Sequence, residues 1–86
     1  MKVNFHKSFF KDYRKLPNGV CKKFQSRLSI FKINQYHVIL NNHKLSGKYG
    51  GYYSINITGD YRAIYEKNSE TEISFDRIGT HSQLYG

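Results

Sequence analysis

The chain has 86 residues, with fourteen Lys and Arg against six Asp and Glu, giving a net charge of +8 and a pI near 9.7. That length allows one small domain over residues 1–86 with one modest core, and the basic balance favours phosphate-bearing or acidic partners. A lone cysteine, Cys21, excludes a disulfide framework or a cysteine zinc site, and no apolar run approaches a membrane span.

Val3 and Phe5 alternate with Lys2, Asn4 and His6, which predicts a short strand with one buried face. Ser8 is then placed to cap a helix carrying Phe9, Tyr13 and Leu16 on one stripe. Pro17-Asn18-Gly19 predicts a turn, and a second helix follows with Val20, Phe24, Leu28 and Phe31 inward and Lys22, Lys23 and Arg27 on its polar side. Residues 34–51 read mainly as a loop with a helical turn near Tyr36–Leu40. After Gly50-Gly51 the period changes to two. Tyr53, Ile55 and Ile57 share one face, as do Tyr61, Ala63 and Tyr65, and Ile73 and Phe75 lead into Ile78. The expectation is an α+β fold: a short N-terminal strand, a helical hairpin and a three-stranded antiparallel meander, with the helices on one sheet face.

Charge and aromatics are unevenly spread. Residues 1–48 hold eleven Lys and Arg against Asp12 alone, a local charge of +10, whereas residues 49–86 carry −2. Five of the six Phe precede residue 32, and seven of the eight Tyr follow residue 35. A Phe-lined basic layer over a Tyr-rich sheet is the picture. The opening residues lack the apolar stretch of a signal peptide, so a soluble cytoplasmic protein is expected.

Two-residue turns at Thr58-Gly59 and Asn68-Ser69 predict which side chains meet. Asn56 then faces Tyr61, Asp60 faces Arg77, and Tyr61 faces Asp76, with His81 just beyond that end of the sheet. Strand parity puts Arg77 with Ile73 and Phe75, so aiming it at the other face requires a bulge. An acid, an arginine and a histidine on a basic, Tyr-rich domain suit phosphodiester chemistry: two proton transfers, a cation on the phosphate and rings to stack on bases. On residue types alone, a cross-strand Asp60–Arg77 ion pair with a surface histidine is the commoner arrangement. His37, His43 and His81 lack the helical spacing of a metal site.

The stretch His43-Lys44-Leu45-Ser46-Gly47, then Gly51-Tyr52-Tyr53-Ser54 and GDYRAIYE from Gly59 to Glu66, resembles the RelE/ParE toxin superfamily of bacterial toxin–antitoxin systems. The ending RIGTHSQLYG, Arg77 to Gly86, is similar to its YafQ-type branch. The resemblance implies a RelE-like fold and a ribosome-dependent mRNA endonuclease that needs no metal or other cofactor. A cognate antitoxin would restrain it in a hetero-oligomer. Carried over by position, His43, Asp60, Arg77, His81 and Tyr85 would be catalytic. Asn56, Tyr61, Arg62, Lys44 and Lys48 would bind substrate. Asn56 stands where relatives carry a histidine, and an amide cannot shuttle protons at neutral pH. Two other readings stay open: a ParE-like gyrase inhibitor sharing the fold, and an inactive module that binds RNA or antitoxin.

Overall fold

The computed structural model describes all 86 residues, running β1 (Lys2–Phe5), α1 (Lys7–Tyr13), α2 (Asn18–Ile33), β2 (His43–Lys44), β3 (Tyr53–Asn56), β4 (Tyr61–Ser69), β5 (Glu72–Thr80) and α3 (His81–Tyr85). The sheet has five strands in the order β1-β5-β4-β3-β2, with β1 parallel to β5 and the other pairs antiparallel. No helix is long and apolar enough to cross a membrane.

Helices α1 and α2 cover one face, as their stripes predict. Phe9, Phe24, Leu28 and Phe31 meet Ile55, Ile57, Ala63, Tyr65, Ile73, Phe75 and Ile78 in one buried cluster. The tyrosine at its centre, Tyr65, donates its hydroxyl to Asn42 Oδ1 at 2.9 Å, and burial pushes its pKa to about 12. Leu40, in a short helical turn at Val38–Leu40, closes the cluster from the long connection.

Three local expectations are corrected. Helix α1 starts at Lys7 behind an N-cap at His6, and Ser8 donates instead to the Asp76 carbonyl at 2.7 Å. Asn18 and Gly19 form the first turn of α2 rather than a free turn, with Pro17 as N-cap. Two elements were not foreseen, β2 and α3. Helix α3 opens with a reciprocal cap: Thr80 Oγ1 accepts from Gln83 N, and Gln83 Oε1 accepts from Thr80 N. It packs on the second sheet face, where a Cβ on Gly79 would stand 2.9 Å from Gln83 Oε1. Ile64 and Leu84 are fully buried yet lie outside the first-face cluster.

Both hairpin registers differ from the two-residue-turn expectation. Thr58 Oγ1 accepts from the amides of Asp60 and Tyr61, widening the first turn so that Asn56 pairs with Arg62. The second hairpin turns at Glu70-Thr71, with Ser69 opposite Glu72 and Ser69 Oγ accepting from Thr71 N. Tyr61 therefore faces Thr80, and Arg77 faces Ile64 rather than Asp60. A register shift leaves Asp76 unpaired as a bulge, and beyond it Arg77 joins the second face.

The bulge sets Asp76 beside Glu66, Tyr52 and His6. Its carboxyl is pushed from 3.8 to about 6, chiefly by burial, then by the hydrogen bond and charge of Glu66; His6 and Tyr52 oppose the rise. A carboxyl whose pKa rises on folding binds extra proton in the native state between those values. Its stabilising contribution is present at low pH and is lost as pH rises through about 6. Asp76→Asn is expected to flatten the fall in stability between about pH 4 and 7, measured by urea unfolding.

Candidate functional site

The strand registers place side chains in rows on the second face. One row runs His43, Ser54, Ile64, Arg77 across β2, β3, β4 and β5. At about 4.8 Å per strand, His43 and Arg77 stand roughly 14 Å apart at its two ends. The next row runs Asn56, Arg62, Gly79, with α3 lying over the glycine.

Arg77 is the best-anchored cation in the molecule. Its Nε donates to Asp12 Oδ2 at 2.6 Å and its Nη2 to Asp12 Oδ1 at 3.3 Å, while Nη1 reaches Tyr49 Oη at 3.5 Å. The Asp12 carboxylate is first among the causes that hold the guanidinium pKa above its usual value. Asp12 Oδ2 also accepts from the Ile78 amide at 3.1 Å, so α1 covers the edge of β5 that β1 leaves unpaired. Asp12→Ala orphans a half-buried guanidinium and a backbone N–H. The expected loss is about 1–3 kcal/mol in urea unfolding, with Asp12→Asn losing less.

Tyr49 ties this cation to α3. Its hydroxyl donates to the Leu84 carbonyl at 3.0 Å, beside Lys48 Nζ, which donates to the same oxygen at 3.2 Å. Its ring meets Tyr85 edge-on at 5.3 Å, and the Tyr85 ring lies 4.7 Å from His81. The Tyr85 hydroxyl is raised in pKa by burial first and by Tyr49, with the Arg62 charge acting the other way. Arg62 Nη1 donates to the carbonyls of Thr58 and Tyr61, so its charge sits between the β3–β4 turn and α3.

Of the residues singled out from sequence, Lys48, Arg77, His81, Tyr85 and Arg62 thus assemble at one end of the second face. Asn56 lies next to Arg62, and its buried Oδ1 has no hydrogen-bond partner. His43 sits across the sheet. Its Nδ1 is 2.8 Å from the Asn41 carbonyl, which can only accept, so Nδ1 carries the proton and Nε2 the lone pair in the neutral ring. Asp60 is in the β3–β4 turn, exposed, and its carboxylate forms no ion pair. Tyr61 packs against the first-face cluster and reaches the group only from the side, sharing with Asp12, Lys15, Arg77 and Gln83 a cleft of ≈170 Å³. Lys44 lies opposite Tyr53, whose ring stacks on Tyr65, and so sits on the other face from His43.

Sequence reasoning missed two residues, Asp12 and Tyr49. Asp12 is the only acid among the first 48 residues, which was the available signal. Tyr49 stands just before the Gly50-Gly51 pair, where its packing against α3 is invisible while α3 itself is unforeseen. The Thr80-x-x-Gln83 spacing was the sign of that helix.

Across its whole length, residues 1–86, the chain matches the family model described as bacterial toxin of type II toxin-antitoxin system, YafQ. The chain belongs to the YafQ toxin family. Among curated proteins no match is found. The fold is shared with YafQ from E. coli strain BL21(DE3), at 20% identity and a TM-score of 0.83 over 99% of this chain and 98% of that one. It is also shared with the YoeB/ParE toxin from Agrobacterium tumefaciens, at 21% identity and a TM-score of 0.75 over 94% and 99%. A third similar structure is the E. coli DinJ-YafQ complex, at 24% identity and a TM-score of 0.70 over 99% and 98%. The YafQ membership makes this chain the toxin of a type II toxin–antitoxin system.

Proposed function

We propose that this chain is a ribosome-dependent mRNA endonuclease working in the cytoplasm without a metal, held in check by a cognate antitoxin as a hetero-oligomer. The observation that carries the reading is the convergence of one anchored guanidinium, one exposed imidazole and two phenols around α3: Arg77 at Tyr49, Tyr49 at Tyr85, Tyr85 at His81. The crystallised DinJ-YafQ complex supports the partner assignment.

In this mechanism a base removes the proton from the 2′-hydroxyl, and that oxygen attacks the adjacent phosphorus. The bond from phosphorus to the 5′-oxygen breaks, and an acid returns a proton to the leaving oxygen. The products are a 2′,3′-cyclic phosphate and a 5′-hydroxyl end. Arg77 neutralises the charge building on the phosphate; with two of its nitrogens fixed by Asp12, little reorganisation is needed. His81 serves as the main acid/base group, and Tyr85 aligns a base by stacking beside it. His43, with its lone pair on Nε2, and Asp60 act at neighbouring positions of an extended RNA strand. Asn56, Tyr61, Arg62 and Lys48 bind that strand, whereas Lys44, on the other sheet face, takes no part in it.

The deciding experiment adds the protein to a translating extract and maps mRNA 5′ ends. Codon-phased cuts are expected. Intact mRNA with stalled replication in cells would identify a gyrase inhibitor instead, and neither effect would leave an inactive binding module, the reading that Asn56 keeps open. Asn56 also yields a graded prediction. Asn56→His keeps or raises single-turnover cleavage on programmed ribosomes, and Asn56→Ala costs far less than His43→Ala. The reverse order would remove both residues from these assignments.

A further inference from the structure

On the second sheet face, away from α3, ligand-bearing side chains from three elements converge. His6 stands at the junction of β1 and α1, Glu66 in β4, and Asp76 at the bulge of β5. His6 Nε2 lies 3.2 Å from Glu66 Oε2 and 3.1 Å from Asp76 Oδ1, and the ligand atoms of the three residues all fall within 4.8 Å of one another. Only the Glu66 contact has hydrogen-bond geometry. Asp76 Oδ1, shut off from solvent and facing the imidazole, has no hydrogen-bond partner. The Tyr52 hydroxyl borders both carboxylates.

We propose that His6, Glu66 and Asp76 form a binding site for a zinc-type divalent cation, with solvent beside Tyr52 completing the coordination. A zinc ion about 2.0–2.1 Å from nitrogen and oxygen ligands sets them roughly 3.3 Å apart in a tetrahedron. The His6 contacts need to open by only a few tenths of an ångström to reach that spacing. A single proton on His6 Nε2 satisfies one carboxylate and leaves the other oxygen orphaned. A divalent cation takes both lone pairs and offsets both charges. The imidazole selects zinc-type ions, because magnesium and calcium favour all-oxygen sets. The ion clamps the β1–α1 junction to β4 and β5, one residue from Arg77, and the site stands independently of the nuclease reading.

The test is calorimetric titration of the chelator-treated full chain with ZnCl₂, against MgCl₂. One equivalent of zinc is expected to bind and to raise Tm, with magnesium doing neither. His6→Ala, Glu66→Gln and Asp76→Asn should each weaken binding by more than about tenfold, while His43→Ala and His81→Ala leave it intact. In the unmutated chain, zinc should shift the NMR ring signals of His6, a readout that does not depend on any variant folding. Absence of stoichiometric binding, binding that persists in His6→Ala and Asp76→Asn, or shifts confined to His37, His43 or His81 would each overturn the site.

Discussion

His81→Ala should lower codon-phased mRNA cleavage about 10²–10⁴-fold while leaving the fold and antitoxin binding unchanged. His81 is exposed at the first position of α3, and its ring touches only Tyr85 among the aromatic residues. The reciprocal cap that starts the helix belongs to Thr80 and Gln83, and Leu84 anchors it from below. Alanine removes the imidazole and nothing that holds the helix. A loss of cleavage without a change in unfolding midpoint therefore isolates the proton-transfer role. The measurement is single-turnover cleavage on programmed ribosomes beside urea unfolding. Full cleavage by a folded His81→Ala protein would take the histidine out of the mechanism and leave Arg77, His43 and Asp60 to explain activity.

The largest expected effect on stability is at Phe75. Its fully buried ring meets those of Phe5, Phe9, Phe24, Phe31 and Tyr65 at centroid distances from 5.5 to 5.9 Å. It thus joins β1, both helices of the first face and β4 in one contact set. Phe75→Ala should cost about 3–5 kcal/mol, a large part of the roughly 5–15 kcal/mol available to a domain. The expected result is a greatly lowered urea midpoint, or failure to fold at 37 °C, with no selective effect on any step of catalysis. Phe10→Ala is the contrast. Phe10 is 49% exposed, and its loss should shift the midpoint far less.

Local pattern was enough for the layers. The stripe of Phe24, Leu28 and Phe31 turns α2 onto the sheet, and the alternation of Tyr61, Ala63 and Tyr65 turns the sheet toward α2. Each such pattern reports only whether a residue and its near neighbours prefer water, so it yields faces and element order. That Asn56, Asp60, Tyr61 and Arg77 lie toward one end of the sheet, with His81 just beyond, was also legible, because a meander returns its strand ends to the same place whatever the exact register. The partners of those residues were not. The Thr58 hydroxyl captures two backbone amides and widens the first turn, while the second turn falls at Glu70-Thr71, two residues beyond Asn68-Ser69, which moved Arg77 from Asp60 to Ile64. The Asp76 bulge then carried Arg77 to the second face, as its strand parity required. Asp12 found Arg77 because α1 lies along the edge of β5 that β1 leaves open, a contact between residues 65 apart. His6, Glu66 and Asp76 met for the same reason, since the parallel pairing of β1 with β5 brings His6 to the bulge. Sequence periodicity determined which surfaces are buried; side-chain capture of backbone groups and packing between distant elements decided which charges meet, because those energies depend on contacts that no short window of sequence contains.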